Sequence, residues 1–589
     1  MKRIINLILI ITFAGLFVFL YSCKEEFLDK QPTGTAAGEV MESPEGVEGL
    51  LIGAYDMLTG DNIFGPAMGT DWTYGSVASD NCYLGSEAGD QTAGENVEQY
   101  NTLPNNPYMS ERWRDCYNGV SRTNDVLNFL RRMQEGENPI AEDRAAEIEG
   151  EAKFLRAWYH FKATRIWENI PYVKTSEEMD GMEPEEVPND NPGWDDIESD
   201  LQYAIDNLPE ESPQGEVGRA NKYAAMAVKA YAHLYQDELD KARPLLDEII
   251  SSDEFRLVDN YNDNYHSETE NNDESIFEIQ VSGTADDAGV NANTLALAGA
   301  VFHQAGAAAF GWGFYQPSQN LFEAFQTTED GLPVLDKDNR DELANDMGVG
   351  SGDHFEPTDH PLDPRVDRTI ARRGIDFLGW GIHQGRSWIR EQSNGGPYMT
   401  KKFMHESDEE STAGDFKNLR NFRAYRYSHV LLWRAEIAVE ENDLDYAREL
   451  VNMIRERAAN EDYWVKGYHE VYELDDQPSD EEINWDEPAA NYEIEPYPED
   501  SPVFQDQEEA RKAVRLEQRL EFATEGMRYF DLRRWGIAED VLDDYIQEDS
   551  EFRGFMRGAS YNAQTDDYWP LPQAQLDIQD VLEQDEAYE

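Results

Sequence analysis

The sequence predicts a mainly α-helical protein in which paired helices form a scaffold and large irregular loops with short strands pack on it. Two observations carry this prediction: apolar residues recur at helical spacing through several long segments, and two of those segments read as helical hairpins. The chain has 589 residues and 12% aromatic residues. That length and composition favour a large packed core over disorder.

The longest helical patterns lie in the first third of the chain. Residues 43–45, Ser-Pro-Glu, place a capping serine before a first-turn proline and an early acid, which predicts a helix start. Further helices are predicted over residues 111–133 and 143–167. The apolar residues of the latter occupy two faces, and a helix of that kind is usually covered on both sides. A stack of helices provides such cover.

Two segments repeat one scheme of two helices joined by a tight turn. Residues 221–236 are followed by 239–250, and residues 425–441 by 444–458. Each pair is about as long as a tetratricopeptide unit, roughly 34 residues. The consensus residues of that repeat are mostly absent, so the pattern predicts helical hairpins without fixing the repeat family.

Three stretches between these helices have a different composition. Residues 60–107 are rich in Gly, Asn, Asp and Thr, residues 267–398 combine glycine-rich and aromatic patches with short strand-like runs such as 276–281, and residues 470–507 are acidic and contain proline. Long loops on a rigid scaffold usually carry the binding residues.

The charge balance limits the partners. The chain has 121 acidic and 49 basic residues, a formal net charge of -72. An acidic surface stays hydrated in salty water, where screening weakens self-repulsion, so we interpret the charge as adaptation to a saline environment. The same field repels phosphate backbones and argues against nucleic acid as a partner.

The N-terminus has the features of a secretion signal. Lys2 and Arg3 precede an apolar run over residues 4–20, and Leu20-Tyr21-Ser22-Cys23 resembles a bacterial lipobox. The Lys-Glu-Glu that follows resembles the signal that sends Bacteroidota lipoproteins to the outer face of the outer membrane. We predict that residues 1–22 are a signal peptide and that acyl chains on Cys23 anchor the protein there. The alternative is an uncleaved anchor helix.

The other two cysteines fit no metal-binding spacing. Cys82 and Cys116 either form a disulfide or stay free, and the sequence leaves this open.

Short segments in order along the chain resemble the motifs of the SusD/RagB family of outer-membrane nutrient-binding lipoproteins. They are Phe27-Leu28-Asp29 with Pro32; Trp113, Tyr117 and Asn124; residues 150–157 with Tyr159, Phe161 and Ile170-Pro171; Gly218-Arg219-Ala220; Pro317-Ser318 with Leu321, Phe325, Asp330 and Gly331; Arg519, Glu521, Glu525-Gly526, Arg528 and residues 530–536; and residues 569–572. Leu571 stands where the family more often has isoleucine.

The resemblance implies a scaffold of four tetratricopeptide-like helix pairs. Residues 23–589 would form a single SusD-like domain: 23–260 with helix pairs 1–3, 261–420 as a loop-rich ligand-binding insert, and 421–589 with the fourth pair and the C-terminal region. Family members capture oligosaccharides, or in some cases peptides, and pass them to a SusC-like TonB-dependent barrel without catalysis.

A glycan site needs exposed rings, because flat aromatic side chains cover the CH-rich faces of sugars and Tyr and Trp add a polar group. Three groups of residues are predicted to provide it. They are Trp72, Tyr74, Asn81 and Tyr83; Trp312, Phe314 and Tyr315; and Trp380 and Trp388. Trp72 and Trp312 are the first choices. The alternative is that these rings are ordinary core residues.

Other charged segments are interpreted as structural. The dense charges of residues 519–535 fit ion pairs between helices. The acidic residues of 259–275 and Asp336, Asp338 and Asp341 offer oxygen ligands for a structural Ca²⁺, but they lack EF-hand spacing, so solvated loops and no cofactor are expected.

No nucleophile elbow, P-loop, zinc-helix or dinucleotide motif is present. We therefore expect a binding protein that is not an enzyme and has no catalytic residues. The alternatives are a surface lipoprotein that binds peptides, a protein-docking scaffold, and a glycoside hydrolase. A glycoside hydrolase needs a pair of carboxylates, but among 121 acidic residues such pairs occur by chance and decide nothing.

Overall fold

The computed structural model describes residues 41–59, 69–281, 311–404, 406–409, 420–474 and 478–588. The predicted signal peptide and Cys23 lie outside these ranges. Within them, no helix combines the length and the apolar character needed to cross a membrane.

Helices make up most of the regular structure. In chain order they are α1 (Pro44–Asp56), α2 (Thr92–Glu98), α3 (Pro107–Glu135), α4 (Glu142–Trp167), α5 (Trp194–Asn207), α6 (Lys222–Tyr235), α7 (Leu239–Ser251), α8 (Gln319–Ala324), α9 (Val366–Thr369), α10 (Gln392–Gly395), α11 (Tyr427–Glu440), α12 (Leu444–Ala458), α13 (Gln507–Glu521), α14 (Arg528–Arg534), α15 (Ala538–Phe552), α16 (Ala563–Asp566) and α17 (Gln573–Leu576).

The strands are short. They are β1 (Cys82–Gly85), β2 (Ser275–Ile279), β3 (Phe314–Pro317), β4 (Ile370–Ala371), β5 (Met399–Thr400), β6 (Phe422–Arg426), β7 (Lys466–Tyr468) and β8 (Asn484–Pro488).

The predicted helix start and hairpins are confirmed. The Ser43 hydroxyl accepts a hydrogen bond from the Gly46 amide at 3.0 Å and caps α1, with Pro44 in the first turn. The helical hairpins α6–α7 and α11–α12 begin and end within two residues of the predicted bounds. Local sequence signals of periodicity and capping therefore determined these elements.

The long helices form a continuous row. Along the described chain α1 packs on α3, α3 on α4, α4 on α5, α5 on α6, α6 on α7, α7 on α11, and α11 on both α12 and α13. Helix α4, predicted to be covered on two faces, has α3 on one side and α5 on the other. The prediction of a mainly α-helical scaffold of paired helices is confirmed.

Strand pairs attach the loops to this scaffold. The described strands form four two-stranded antiparallel sheets: β1–β3, β2–β6, β4–β5 and β7–β8. The strand-like run over residues 276–281 is confirmed as β2, which pairs with β6 just before α11. The division of the chain at residues 260 and 420 stays a prediction.

A buried group of ion pairs, which we call the core ion network, joins the loop segments to α13. Each charge has an opposite partner within 3.3 Å, such as Arg426 with Glu521 at 2.5 Å and Lys402 with Glu525 at 2.9 Å. The five carboxylates and five cations are Glu274, Asp363, Glu517, Glu521 and Glu525 with Arg365, Lys402, Arg426, Arg455 and Arg457.

The other charges of residues 519–535 are paired in the same way. Arg519 and Arg528 both contact Asp80, and Arg534 contacts Glu436 and Asp531. The structural interpretation of this segment is therefore confirmed.

Candidate functional site

The β1–β3 sheet brings two of the three predicted groups together. Its register places Tyr83 opposite Gln316 and Gly85 opposite Phe314. The ring centroids of Trp72 and Tyr315 lie 5.3 Å apart. Two loop segments far apart in sequence thus form one aromatic cluster.

A short π-helix, Trp72–Val77, positions the first of these groups. It follows Asp71, whose backbone is left-handed with φ 47°. Gly75 of this helix touches the turn at Gly526: a Cβ on Gly75 would lie 1.7 Å from the Gly526 carbonyl oxygen. Glycine at this position lets the two backbones meet.

Most of the predicted site residues are buried, so the prediction that they are exposed is wrong. Seven of the nine are at most 8% exposed; they are Trp72, Tyr74, Asn81, Tyr83, Phe314, Tyr315 and Trp388. The physical reason is that segments distant in sequence cover them. The glycine-rich sequence around these rings suggested that no nearby side chain would bury them, but residues distant in sequence bury them in the folded chain.

Specific contacts satisfy several buried polar groups of this set, although the indole nitrogen of Trp72 is buried without a hydrogen-bond partner. Tyr74 donates a hydrogen bond to the Tyr108 carbonyl at 3.0 Å, and Asn81 accepts one from Arg519 at 2.9 Å. The Arg553 guanidinium lies 3.6 Å from the Tyr83 ring centroid. Such partners are typical of structural side chains.

The third predicted group belongs to a separate apolar cluster around Phe377 and Met399. Trp388 donates a hydrogen bond to Gln384 at 3.1 Å, and its ring centroid is 5.1 Å from that of His383. Trp380 is half-buried against the same cluster. The structure therefore does not unite this group with the β1–β3 cluster.

Trp312 is half-buried at the end of the β1–β3 sheet and stays a candidate for ligand contact. The neighbouring Gly313 carbonyl accepts a hydrogen bond from the Ser86 amide at 2.6 Å. Close by, Arg390 contacts Asp90 and Glu87, each at 2.5 Å. Sugar recognition combines a ring with polar side chains, and this part of the chain holds both.

A cluster of cations holds the segment before Trp72. The Asp71 carboxylate contacts Arg112 at 2.7 Å, Lys162 at 2.5 Å, and Arg165. Burial raises the pKa of Asp71, but the three positive charges outweigh burial and lower it. Burial lowers the pKa of Lys162 to about 7 despite the neighbouring carboxylate.

The aromatic side chains that are most exposed lie elsewhere, and the sequence reasoning missed them. Among the residues that the structure describes, the large aromatic side chains exposed by more than a third are Tyr463, Tyr468 and Trp485. All three lie in or beside β7 and β8. Of the three, only Trp485 lies in the acidic loop over residues 470–507, whose composition was the available signal; Tyr463 and Tyr468 precede it.

The described residues form two groups of possible metal ligands. Glu198, His233 and Glu238 lie together, as do His266, Glu406 and Asp408. Lys241 already contacts both glutamates of the first group, and the predicted Asp336 pairs instead with Lys512 at 2.8 Å. The expectation of no cofactor, with a structural Ca²⁺ as the alternative, stays a prediction.

Cys82 is a buried free thiol, so no disulfide joins it to Cys116. Burial raises the pKa of both thiols. Their role is therefore packing, and the pairing left open by the sequence is not formed.

The fold and the site together define a class of protein. A row of paired helices provides a rigid scaffold, and the loops packed on it carry the aromatic and polar side chains available to a ligand. This is the construction of a helical-repeat protein with long loop insertions.

The chain belongs to the SusD family. The sequence profile of the SusD family matches residues 273–588, and a second profile, described as starch-binding associating with outer membrane, matches residues 26–234. The resemblance inferred from the sequence is confirmed.

Relatives match nearly the whole chain. "SusD-like protein P25" of Formosa agariphila is 24% identical over 98% of this chain and 98% of its own. A SusD-like protein from Bacteroides fragilis superposes with a TM-score of 0.68 at 20% identity, over 94% of this chain and 99% of the other. Surface glycan-binding protein A from Bacteroides thetaiotaomicron, solved with laminarihexaose, gives a TM-score of 0.64 at 20% identity, over 92% and 99%.

Proposed function

We propose that this protein is a cell-surface lipoprotein that binds oligosaccharides and passes them to a SusC-like TonB-dependent transporter in the outer membrane. It binds its ligand without altering it. The acyl chains on Cys23 hold it at the extracellular face, where the acidic surface keeps it hydrated.

One observation carries this proposal. The two family profiles match the chain in order from residue 26 to residue 588, and one of them is described as starch-binding and associated with the outer membrane. A structural neighbour was solved with a bound glucan hexasaccharide. The candidate for ligand contact on this chain is Trp312, whose ring is half-buried; the next residue, Gly313, lies next to Arg390, which pairs with Asp90 and Glu87.

A titration tests the binding function. The full-length chain, purified in detergent, is titrated by calorimetry with laminarihexaose, maltohexaose and cellohexaose, and the products are checked for new reducing ends. We expect at least one hexasaccharide to bind, without hydrolysis. Trp312→Ala should weaken that binding about tenfold, because one ring contact is worth about 0.5–1.5 kcal/mol. Trp485→Ala, an exposed ring on another element, is the matched control.

Four results would contradict the proposal. Hydrolysis would indicate an enzyme. Binding of peptides but no glycan would indicate the peptide-carrier alternative. In native membranes, cross-linking that recovers no outer-membrane barrel with the chain would remove the transport role, and an unacylated Cys23 would remove the lipid anchor.

A further inference from the structure

A cavity of about 690 Å³ opens between the β7–β8 hairpin and two loop segments. We call it the hairpin groove. One side is formed by residues 356–359 with Arg372, Gly374 and Ile375, and the other by Tyr468, His469, Tyr472, Asn484 and residues 487–491. Its volume is in the range of small-ligand sites, roughly 300–1,000 Å³.

The groove displays accessible rings. Tyr468 is 47% exposed at the end of β7, and Tyr472 is half-buried in the same wall. The β7–β8 register places Asn484 opposite Tyr468, so an amide lies beside the ring. Asn491 and Thr358 add further hydrogen-bonding groups to the lining.

Trp485 lies on the other face of the same hairpin. Successive side chains of a strand point to opposite faces, and Asn484 faces the groove. Trp485 covers Gly467, where an added Cβ would lie 3.0 Å from the indole ring. The hairpin therefore carries two rings of similar exposure: Tyr468 inside the groove and Trp485, which is 45% exposed, outside it.

The two walls are fixed to each other. His469 lies 2.6 Å from the Gly374 carbonyl, Asn491 donates to the Asp359 carbonyl at 2.9 Å, and Arg373 donates to the Tyr472 carbonyl at 2.9 Å. Hydrogen bonds from both ends of the hairpin thus hold the groove open before a ligand arrives. A preformed site avoids the entropic cost of ordering its walls on binding.

The charges of the groove are negative. Glu356, Asp359 and Glu487 line it. Arg372 is the one arginine or lysine among the described lining residues. Its Nε and Nη2 atoms each donate a hydrogen bond of 2.8 Å to the Asp367 carboxylate. A sulfate or uronate group would meet three carboxylates here, and the arginine in the lining is already paired with Asp367.

We propose that the hairpin groove is a second carbohydrate-binding surface, separate from Trp312, that takes uncharged glycan chains and rejects acidic ones. Tyr468 covers the face of a sugar ring. The amides donate hydrogen bonds to its hydroxyls and accept them, and the carboxylates accept hydrogen bonds from its hydroxyls. This inference rests on the proposed glycan-binding function and adds to it a place and a ligand class.

The test isolates the groove by starting from the Trp312→Ala variant of the full-length chain. Hexasaccharides that bind the wild type are titrated against Trp312→Ala alone, and against Trp312→Ala combined with Tyr468→Ala or with Trp485→Ala. We expect residual binding in the single variant, a further loss of about tenfold with Tyr468→Ala, and no further change with Trp485→Ala. Unchanged thermal unfolding confirms that each variant is folded.

The charge preference is tested with hexagalacturonate of the same length. We expect it to bind the Trp312→Ala variant at least tenfold more weakly than the uncharged hexasaccharide. Replacing Glu356 and Glu487 by glutamine should narrow this gap, as should added salt, because both reduce repulsion.

The failures are distinguishable. If the wild type binds no glycan, the proposed function itself is wrong. If the wild type binds but Trp312→Ala abolishes all binding, or if Tyr468→Ala changes nothing, the groove is not a binding surface and the proposed function stands. Equal or tighter binding of hexagalacturonate, or of a lysine-rich peptide, overturns the ligand class.

Discussion

Asp71 places one carboxylate among three buried cations, Arg112, Lys162 and Arg165. Burial, opposed by the neighbouring carboxylate, lowers the pKa of Lys162 to about 7, and a single carboxylate faces three cations. The cluster fixes the backbone just before Trp72 and ties α3 and α4 to the loop that leads into β1. Removing the Asp71 carboxylate therefore leaves three buried cations without a partner, whereas removing the Lys162 charge leaves Arg112 and Arg165 paired with Asp71.

We predict that Asp71→Asn lowers the free energy of unfolding by about 3–5 kcal/mol, because it leaves buried cations without their counter-charge. Lys162→Met is the matched change on the cationic side, and it should have a much smaller effect since it removes a surplus charge. Urea unfolding at pH 7 measures both. A larger loss for Lys162→Met than for Asp71→Asn would contradict this account.

At the scale of elements, a close contact between two backbone segments positions the loop before β1. The π-helix Trp72–Val77 contacts the turn that follows α13 through Gly75 and Gly526. Gly526 has φ +80°, a conformation that favours glycine. The Ser76 hydroxyl accepts a hydrogen bond from the Gly526 amide at 3.1 Å, which fixes the same contact.

We predict that Gly75→Ala costs about 3 kcal/mol or more, because its Cβ has no room beside the Gly526 carbonyl. Gly53→Ala is the matched control: the glycine lies within α1 with nothing within 4 Å of an added Cβ. That variant should gain about 0.5–1 kcal/mol from better helix propensity. Thermal unfolding of the two variants should therefore shift in opposite directions, and equal shifts would refute the contact.

Across the whole molecule, the core ion network joins parts of the chain that are far apart in sequence. Burial raises the pKa of Glu525, but the positive charges of Arg426 and Lys402 outweigh it and lower the pKa to about 2. Glu521 is affected in the same direction by Arg457, Arg426 and Arg365. A carboxylate with a depressed pKa contributes stability above its ordinary pKa of 4.5, and that contribution disappears as the pH falls towards the folded-state value.

We predict that Glu525→Gln lowers the free energy of unfolding by about 3–5 kcal/mol at pH 7, because Arg426 and Lys402 each lose a partner. The difference in the free energy of unfolding between variant and wild type should shrink at pH 3, because the wild type then loses part of the stability that the ionised Glu525 contributes. Urea unfolding at both pH values measures it, with Glu254→Gln in an exposed loop as control. A difference that is the same at both pH values would show that Glu525 does not act through its charge.

The sequence by itself determined the helices, the order of the family motifs and the structural character of residues 519–535. Periodicity and capping are local: Ser43 caps α1 through a residue three positions away, and the hairpin α6–α7 needs only its own apolar stripe. The family resemblance likewise depended on short segments read one at a time, and the profiles confirmed it.

Only the tertiary structure decided which rings are available to a ligand. Trp72 and Tyr74 are covered by Tyr315 and Trp569, which lie hundreds of residues away, so their own neighbourhood in sequence could not reveal their burial. Tyr468 is exposed because strand pairing and the contact of His469 with Gly374 place it at the edge of a groove. Exposure is a property of long-range packing, whereas helix formation is chiefly a property of local sequence.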